Sequence, residues 1–371
     1  MNSDELKKDF FWPEPSEGYR SWAIAAVNKG ETGGLFYADE FDHELTFMVW
    51  AAQNVARIAE VACSDGVPRI EANILDGRLF NAVVDKGPDG YNIGVLRGLV
   101  SGATLASMLL STRLPVIGED RNGALYARIM IQFVTLHEVT HARNGHVDFK
   151  RARKPGTLMA EAIAPTDHAW ALISQTLEFD ADAGGFKDVA RNVLGLDQQR
   201  GPNGPVFVTS TSLAAMTAQS RILGRAIGSY FLLTQAEIGI PGDSHTKTHP
   251  PAIVRCMSAY LVFFEIASRI NGLTQEEVQQ CLEAYLTGCY EAEIVLGEGR
   301  NALLAVTEIA DEPLRGTGYL FSEPGHFVPS MVMRRNMVSE ETLAYISRLK
   351  ACWREIRPEL LKLKLGSHSL A

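Results

Sequence analysis

The segment Phe133–Phe149, FVTLHEVTHARNGHVDF, holds the residues best suited to chemistry. Its centre is His137-Glu138-Val139-Thr140-His141, an HExxH motif. On an α-helix, positions i and i+4 share one face, one turn apart. Two imidazoles so placed can meet one zinc ion, and the glutamate between them can reach a water in the ion's open position. The preceding residues, ALYARIMIQFVTL, are apolar at helical spacing, so the motif sits in a sequence that predicts a helix.

A zinc site that does chemistry needs a third protein ligand. His146 is one candidate. It follows His141 by five residues, which turns it away from the His137/His141 face of a continuous helix. Glu178, in LEFDADAGG, is the better candidate. Glu178 and Asp182 are again i and i+4, so both can face the first helix. Ala181, Gly184 and Gly185 permit a close helix approach. Leu177, Phe179 and Ala181 make the region apolar, so two carboxylates there need partners. Asp182 is placed to hydrogen-bond a ligand histidine and fix its ring orientation.

Positioning these residues takes a mostly helical, α+β chain with one small early sheet. Helical periodicity covers residues 40–64, 98–111 and 123–144, and a helix capped by Thr166 or Asp167 runs to about residue 194. Between the first two lie short strands within RIEANILDGRLFNAVVD and YNIGVLRGLV, with a turn at Lys-Gly-Pro-Asp-Gly. Residues 197–211 read as a loop because Pro and Gly recur there. Helices are expected at 212–237, 250–271, 274–296 and 338–364. A Gly/Pro-rich stretch at 312–329 separates the last two. The division expected is an N-terminal segment (1–39), a catalytic domain (40–272) and a helical C-terminal extension packed on it (273–371).

The 371 residues are 46% hydrophobic and 21% charged, a globular balance that can bury a sizeable core. The net charge of −9 argues against a nucleic-acid partner, whose phosphates need neutralising. The one basic cluster, Lys150, Arg151, Arg153 and Lys154, reads as a solvated turn. Five cysteines with no CxxC pair fit reduced thiols in a cytoplasmic protein. The first twenty residues lack a signal-peptide core. The most apolar stretch, Gly98–Thr112, is too short for a bilayer. The expectation is a soluble, cytoplasmic protein with no stable membrane insertion.

Four segments, in order, resemble the HtpX-like and CAAX-prenyl-protease-like gluzincin metallopeptidases. They are Phe80-Asn81-Ala82 with the following GVLRGLV; HExxH with Gly145-His146; Glu178 to Asp182; and Thr248-His249-Pro250-Pro251 with Arg255. They span about half of the chain. Soluble relatives of the phage-exclusion (Lit) peptidases share this order. The chain departs from the pattern in having Val83 after Asn-Ala and a short gap from His141 to Glu178.

The resemblance implies a zincin-type catalytic domain with zinc held by His137, His141 and Glu178. It implies Glu138 as general base, His249 as donor to the oxyanion, and a protein or peptide substrate. Arg255 either pairs with an acid such as Asp182 or lies on the surface. Asn81 is expected beside an edge strand, its amide on the substrate backbone. The function expected is a zinc-dependent metalloendopeptidase. The alternatives are a non-catalytic interaction protein on the same scaffold and a triggered phage-defence protease.

Overall fold

A computed structural model describes residues 14–28, 33–36, 45–63, 68–77, 80–114, 124–153, 168–201, 204–234, 247–309 and 337–365. The expected cap at Thr166 or Asp167, Lys154 and the 312–329 stretch lie outside them. In chain order the elements are α1 (Glu17–Asn28), β1 (Gly34–Leu35), α2 (Leu45–Ala62), β2 (Arg69–Asp76), β3 (Ala82–Lys86), β4 (Gly90–Leu96), α3 (Arg97–Arg113) and α4 (Leu125–Arg143). Then come α5 (His146–Arg153), α6 (His168–Val193), β5 (Asp197–Gly201), β6 (Gly204–Val208), α7 (Leu213–Thr234), α8 (Ala252–Ala267), α9 (Gln275–Ile309) and α10 (Glu340–Leu363). The chain is mostly helical with a small mixed sheet.

The sheet order is β1-β2-β4-β3. β2 and β4 run parallel, from Arg69 opposite Gly90 to Leu75 opposite Leu96. β3 returns antiparallel to β4 and stands at the edge. Gly87 donates to the Gly90 carbonyl at 2.8 Å, closing the turn expected there. The inner strands bury both faces: Ile74, Ile93 and Val95 are enclosed on one, Leu75 and Leu96 on the other. One face meets α1, whose Tyr19 donates its hydroxyl to Ile93 O at 2.7 Å.

α4 is the central helix, buried along most of its length from Tyr126 to Ala142. Its aromatic anchor Phe133 meets Tyr230 and Phe231 of α7 edge-on, at 5.0 and 5.6 Å between ring centres. The same continuous core takes in Cys281, Leu282, Tyr285 and Cys289 of α9. A second apolar cluster joins Phe149 of α5 and Leu177 of α6 to Cys352, Ile356 and Leu360 of α10.

Two expectations are corrected. Residues 197–211 contain a β-hairpin, not only a loop. β5 is polar and exposed, so it carries no apolar alternation, and Gly201 and Gly204 flank the turn. Phe207 anchors it, donating its N–H to Arg269 O at 2.9 Å and accepting from Asn271 N at 2.7 Å. The basic cluster is not a solvated turn. Lys150, Arg151 and Arg153 lie on α5 and pair with Glu178, Asp85 and Glu359.

Candidate metal centre

α4 and α6 cross at the site. On α6, Gly185 faces the α4 backbone so closely that a Cβ there would lie 2.8 Å from His137 N. That approach brings Glu178 between the two histidines. His137 Nε2 and His141 Nε2 are 3.0 Å apart, and each is 3.2 Å from Glu178 Oε2. All three side chains are buried. Tetrahedral ligands about 2.0–2.1 Å from zinc are spaced roughly 3.3 Å apart, so this triangle fits one small cation. The donor set, two imidazoles and a carboxylate, suits zinc as well as any divalent metal of its class.

Charge agrees with that fit. Burial pulls His137's pKa down, but the carboxylates of Asp182, Glu178 and Glu138 around it hold it up at about 10. Burial pushes His141 down to about 3, against the pull of Glu178 and helped by His137 and His146. Burial raises the Glu178 carboxyl, yet His141, Lys150 and His249 bring it well below the usual range. The pocket therefore gathers carboxylates around the two imidazoles, and a proton on His137 must leave before that ring can ligate a metal.

Each candidate ligand is braced from behind. Asp182 Oδ1 lies 3.0 Å from His137 Nδ1, off the line of the N–H bond. Arg255 holds that carboxylate with two bonds, Nε to Oδ2 at 2.7 Å and Nη2 to Oδ1 at 2.8 Å. Burial raises the Asp182 pKa, and the arginine outweighs it, leaving the group at about 2. Arg255 is thus paired rather than on the surface.

His146 touches the site through its neighbour. Gly145 adopts φ 77°, a left-handed conformation that ends α4 and turns the chain back. His146 Nδ1 then lies 2.9 Å from His141 Nδ1, and its Nε2 lies 3.1 Å from Asp180 Oδ2. Asp180 accepts from Asn144 Nδ2 at 2.6 Å and from Trp353 Nε1 at 3.0 Å.

His249 approaches from the α8 side. Its Nε2 is 3.4 Å from Glu178 Oε2, and with 27% of its side chain exposed it is the open side of the cluster. The peptide before it is pinned: Gln175 donates Nε2 to Lys247 O at 2.8 Å and accepts from Tyr345 OH at 2.6 Å. Glu138 is buried on α4 between the two histidines. Asn81 directly precedes edge strand β3, and its carbonyl accepts Leu96 N at 3.1 Å.

Sequence reasoning missed Lys150, Gln175, Asp180, Tyr345 and Trp353. One signal was available. Gln175, Glu178 and Asp182 form an i, i+3, i+7 row, so extending the carboxylate face by one turn reaches Gln175. No family model matches the chain, and no curated protein or solved structure matches it. Among the described residues no helix is long and apolar enough to cross a membrane.

Proposed function

We propose that this chain is a zinc-dependent metalloendopeptidase. The observation that carries the reading is the convergence of His137 Nε2, His141 Nε2 and Glu178 Oε2 within 3.0–3.2 Å, with Glu138 in the intervening helical turn. His137, His141 and Glu178 would hold a zinc ion there, and its chemistry would be that of a Lewis acid toward a water and a peptide carbonyl.

The chain's own groups do the rest. Glu138 takes the proton from the attacking water and passes it to the leaving amine. His249, at the exposed rim, donates a hydrogen bond where negative charge develops on the carbonyl oxygen. Arg255 and Asp182 keep His137 in register, and His146 does the same for His141. β3 stands at a sheet edge and packs against α4, so an extended peptide can pair along it while Asn81 holds the substrate backbone.

The test pairs metal analysis with proteolysis of an unstructured protein. The purified chain should carry about one zinc, and Glu138→Gln should keep the metal but lose hydrolysis. His137→Ala and His141→Ala should each lose the metal. Full zinc occupancy in both histidine variants, or turnover by Glu138→Gln equal to the parent chain, would sink the reading.

A further inference from the structure

Behind the metal centre, on the far side of α6, lies a groove of about 840 Å³. α6, α8, α10 and the β5–β6 hairpin enclose it. Phe179, Phe207, Leu261, Val262, Phe264 and Ile266 give it a mainly apolar lining. Phe264 is half exposed at its edge. The volume falls in the range of small-molecule sites, about 300–1,000 Å³, rather than of a flat protein interface.

The rim is cationic. Lys350 and Arg354 are one turn apart on α10, and Lys187 faces them from α6. None of these three forms an ion pair or hydrogen bond among the described residues. A fourth cation, Arg269, pairs with Glu265 at 2.9 Å. The remaining acid of the lining, Asp180, is held by Trp353 and Asn144. Three uncommitted cations beside an apolar trough stand out on a chain of net charge −9. Cations left without partners next to exposed apolar surface complement a ligand with an anionic head and an apolar tail.

We propose that this groove binds a single-chain anionic amphiphile, a long-chain carboxylate. Its tail lies along Phe179, Leu261 and Phe264, and its carboxylate meets Lys187, Lys350 and Arg354. The proposal does not depend on the peptidase reading, since it uses none of the three candidate metal ligands, although Asp180 and Trp353 of the lining also brace His146 behind the metal centre.

Decanoate is the probe, titrated into the full chain by calorimetry, with decanol and butyrate as comparators. Decanoate should bind saturably at one site per chain. Butyrate lacks six methylenes and should bind at least a hundredfold more weakly. Decanol should bind about tenfold more weakly, as should decanoate to K187A/K350A/R354A, because both lose the three solvent-screened charge contacts. Leu261→Trp, which fills the trough, should abolish binding while leaving the melting transition in place. Absence of saturable decanoate binding would overturn the proposal. So would binding that survives both variants unchanged, or butyrate or decanol binding as tightly as decanoate.

Discussion

Lys150 places its ammonium 3.3 Å from Glu178 Oε1, the carboxylate oxygen that the two histidines do not share. The carboxylate is therefore gripped at both ends, by a cation on α5 and by the imidazoles on α4. A lysine in this position fixes the rotamer of the third candidate ligand and leaves Oε2 alone to face the centre. Lys150→Met should weaken zinc binding about 10–100-fold, the usual cost of losing an outer partner of a ligand. Lys150→Arg should retain most of the affinity. Competition with a chelator of known affinity reads the difference, and equal affinity in all three proteins would make the contact incidental.

Gly185 sets the distance between α4 and α6. A methyl group added there would meet His137 N at 2.8 Å and Phe133 O at 3.2 Å, both rigid backbone atoms. Gly185→Ala should force the helices apart and lower stability by about 1–3 kcal/mol. Because the same separation pulls Glu178 from the histidines, zinc content should fall with it. Denaturant midpoints and metal analysis on one preparation give both numbers. A stable variant with full zinc would show that the crossing has slack.

Under the proposed function, His249→Ala should lower turnover about 10²–10³-fold with zinc retained. Asn81→Ala should instead raise KM, since its contact forms before the chemistry. Steady-state kinetics separate the two. A His249→Ala enzyme with normal kcat would remove it as an oxyanion donor.

Glu293 on α9 supplies a pH test of the fold itself. It is fully buried, and among the described residues neither carboxylate oxygen has a hydrogen-bond partner. Burial pushes its pKa up from 4.5 to about 7. Between those values the folded chain holds a proton that the unfolded chain has lost, so stability must fall as pH rises through that window. The loss is on the order of 3 kcal/mol and is complete above the folded pKa. Glu293→Gln carries no such proton and should flatten that part of the stability–pH curve. Equal slopes for parent and variant from pH 5 to 8 would refute the assignment.

How far the sequence could be read depended on what each feature needs. His137, His141, Glu178 and Asp182 were legible because helical spacing alone puts each pair on one face. The long helices and three strands of the sheet were legible from apolar period. Strand order was not: β4 lies between β2 and β3, and only the folded register shows that. β5 escaped because Asp197, Gln198, Gln199 and Arg200 carry no apolar alternation. Lys150 escaped for a different reason. In a run of four cations nothing local tells which one is aimed inward, and the choice is made by Glu178, far away on α6. Trp353 and Tyr345 are tied to α6 across more than 160 positions of sequence, a distance over which no periodicity speaks.

That last tie also bears on the order in which the chain is made. Trp353 and Tyr345 belong to α10, the last described element to be translated. When α4 and α6 leave the ribosome, the HExxH histidines and Glu178 are all present. The indole that holds Asp180, and so His146 behind His141, is not yet synthesised. Nor is the phenol that holds Gln175, and so the peptide before His249. A nascent chain thus carries its whole set of candidate ligands while two of their supports are missing. Under the proposed function, a polypeptide interrupted before α10 would be a poor protease. Translation itself then delays the activity until α10 has been made.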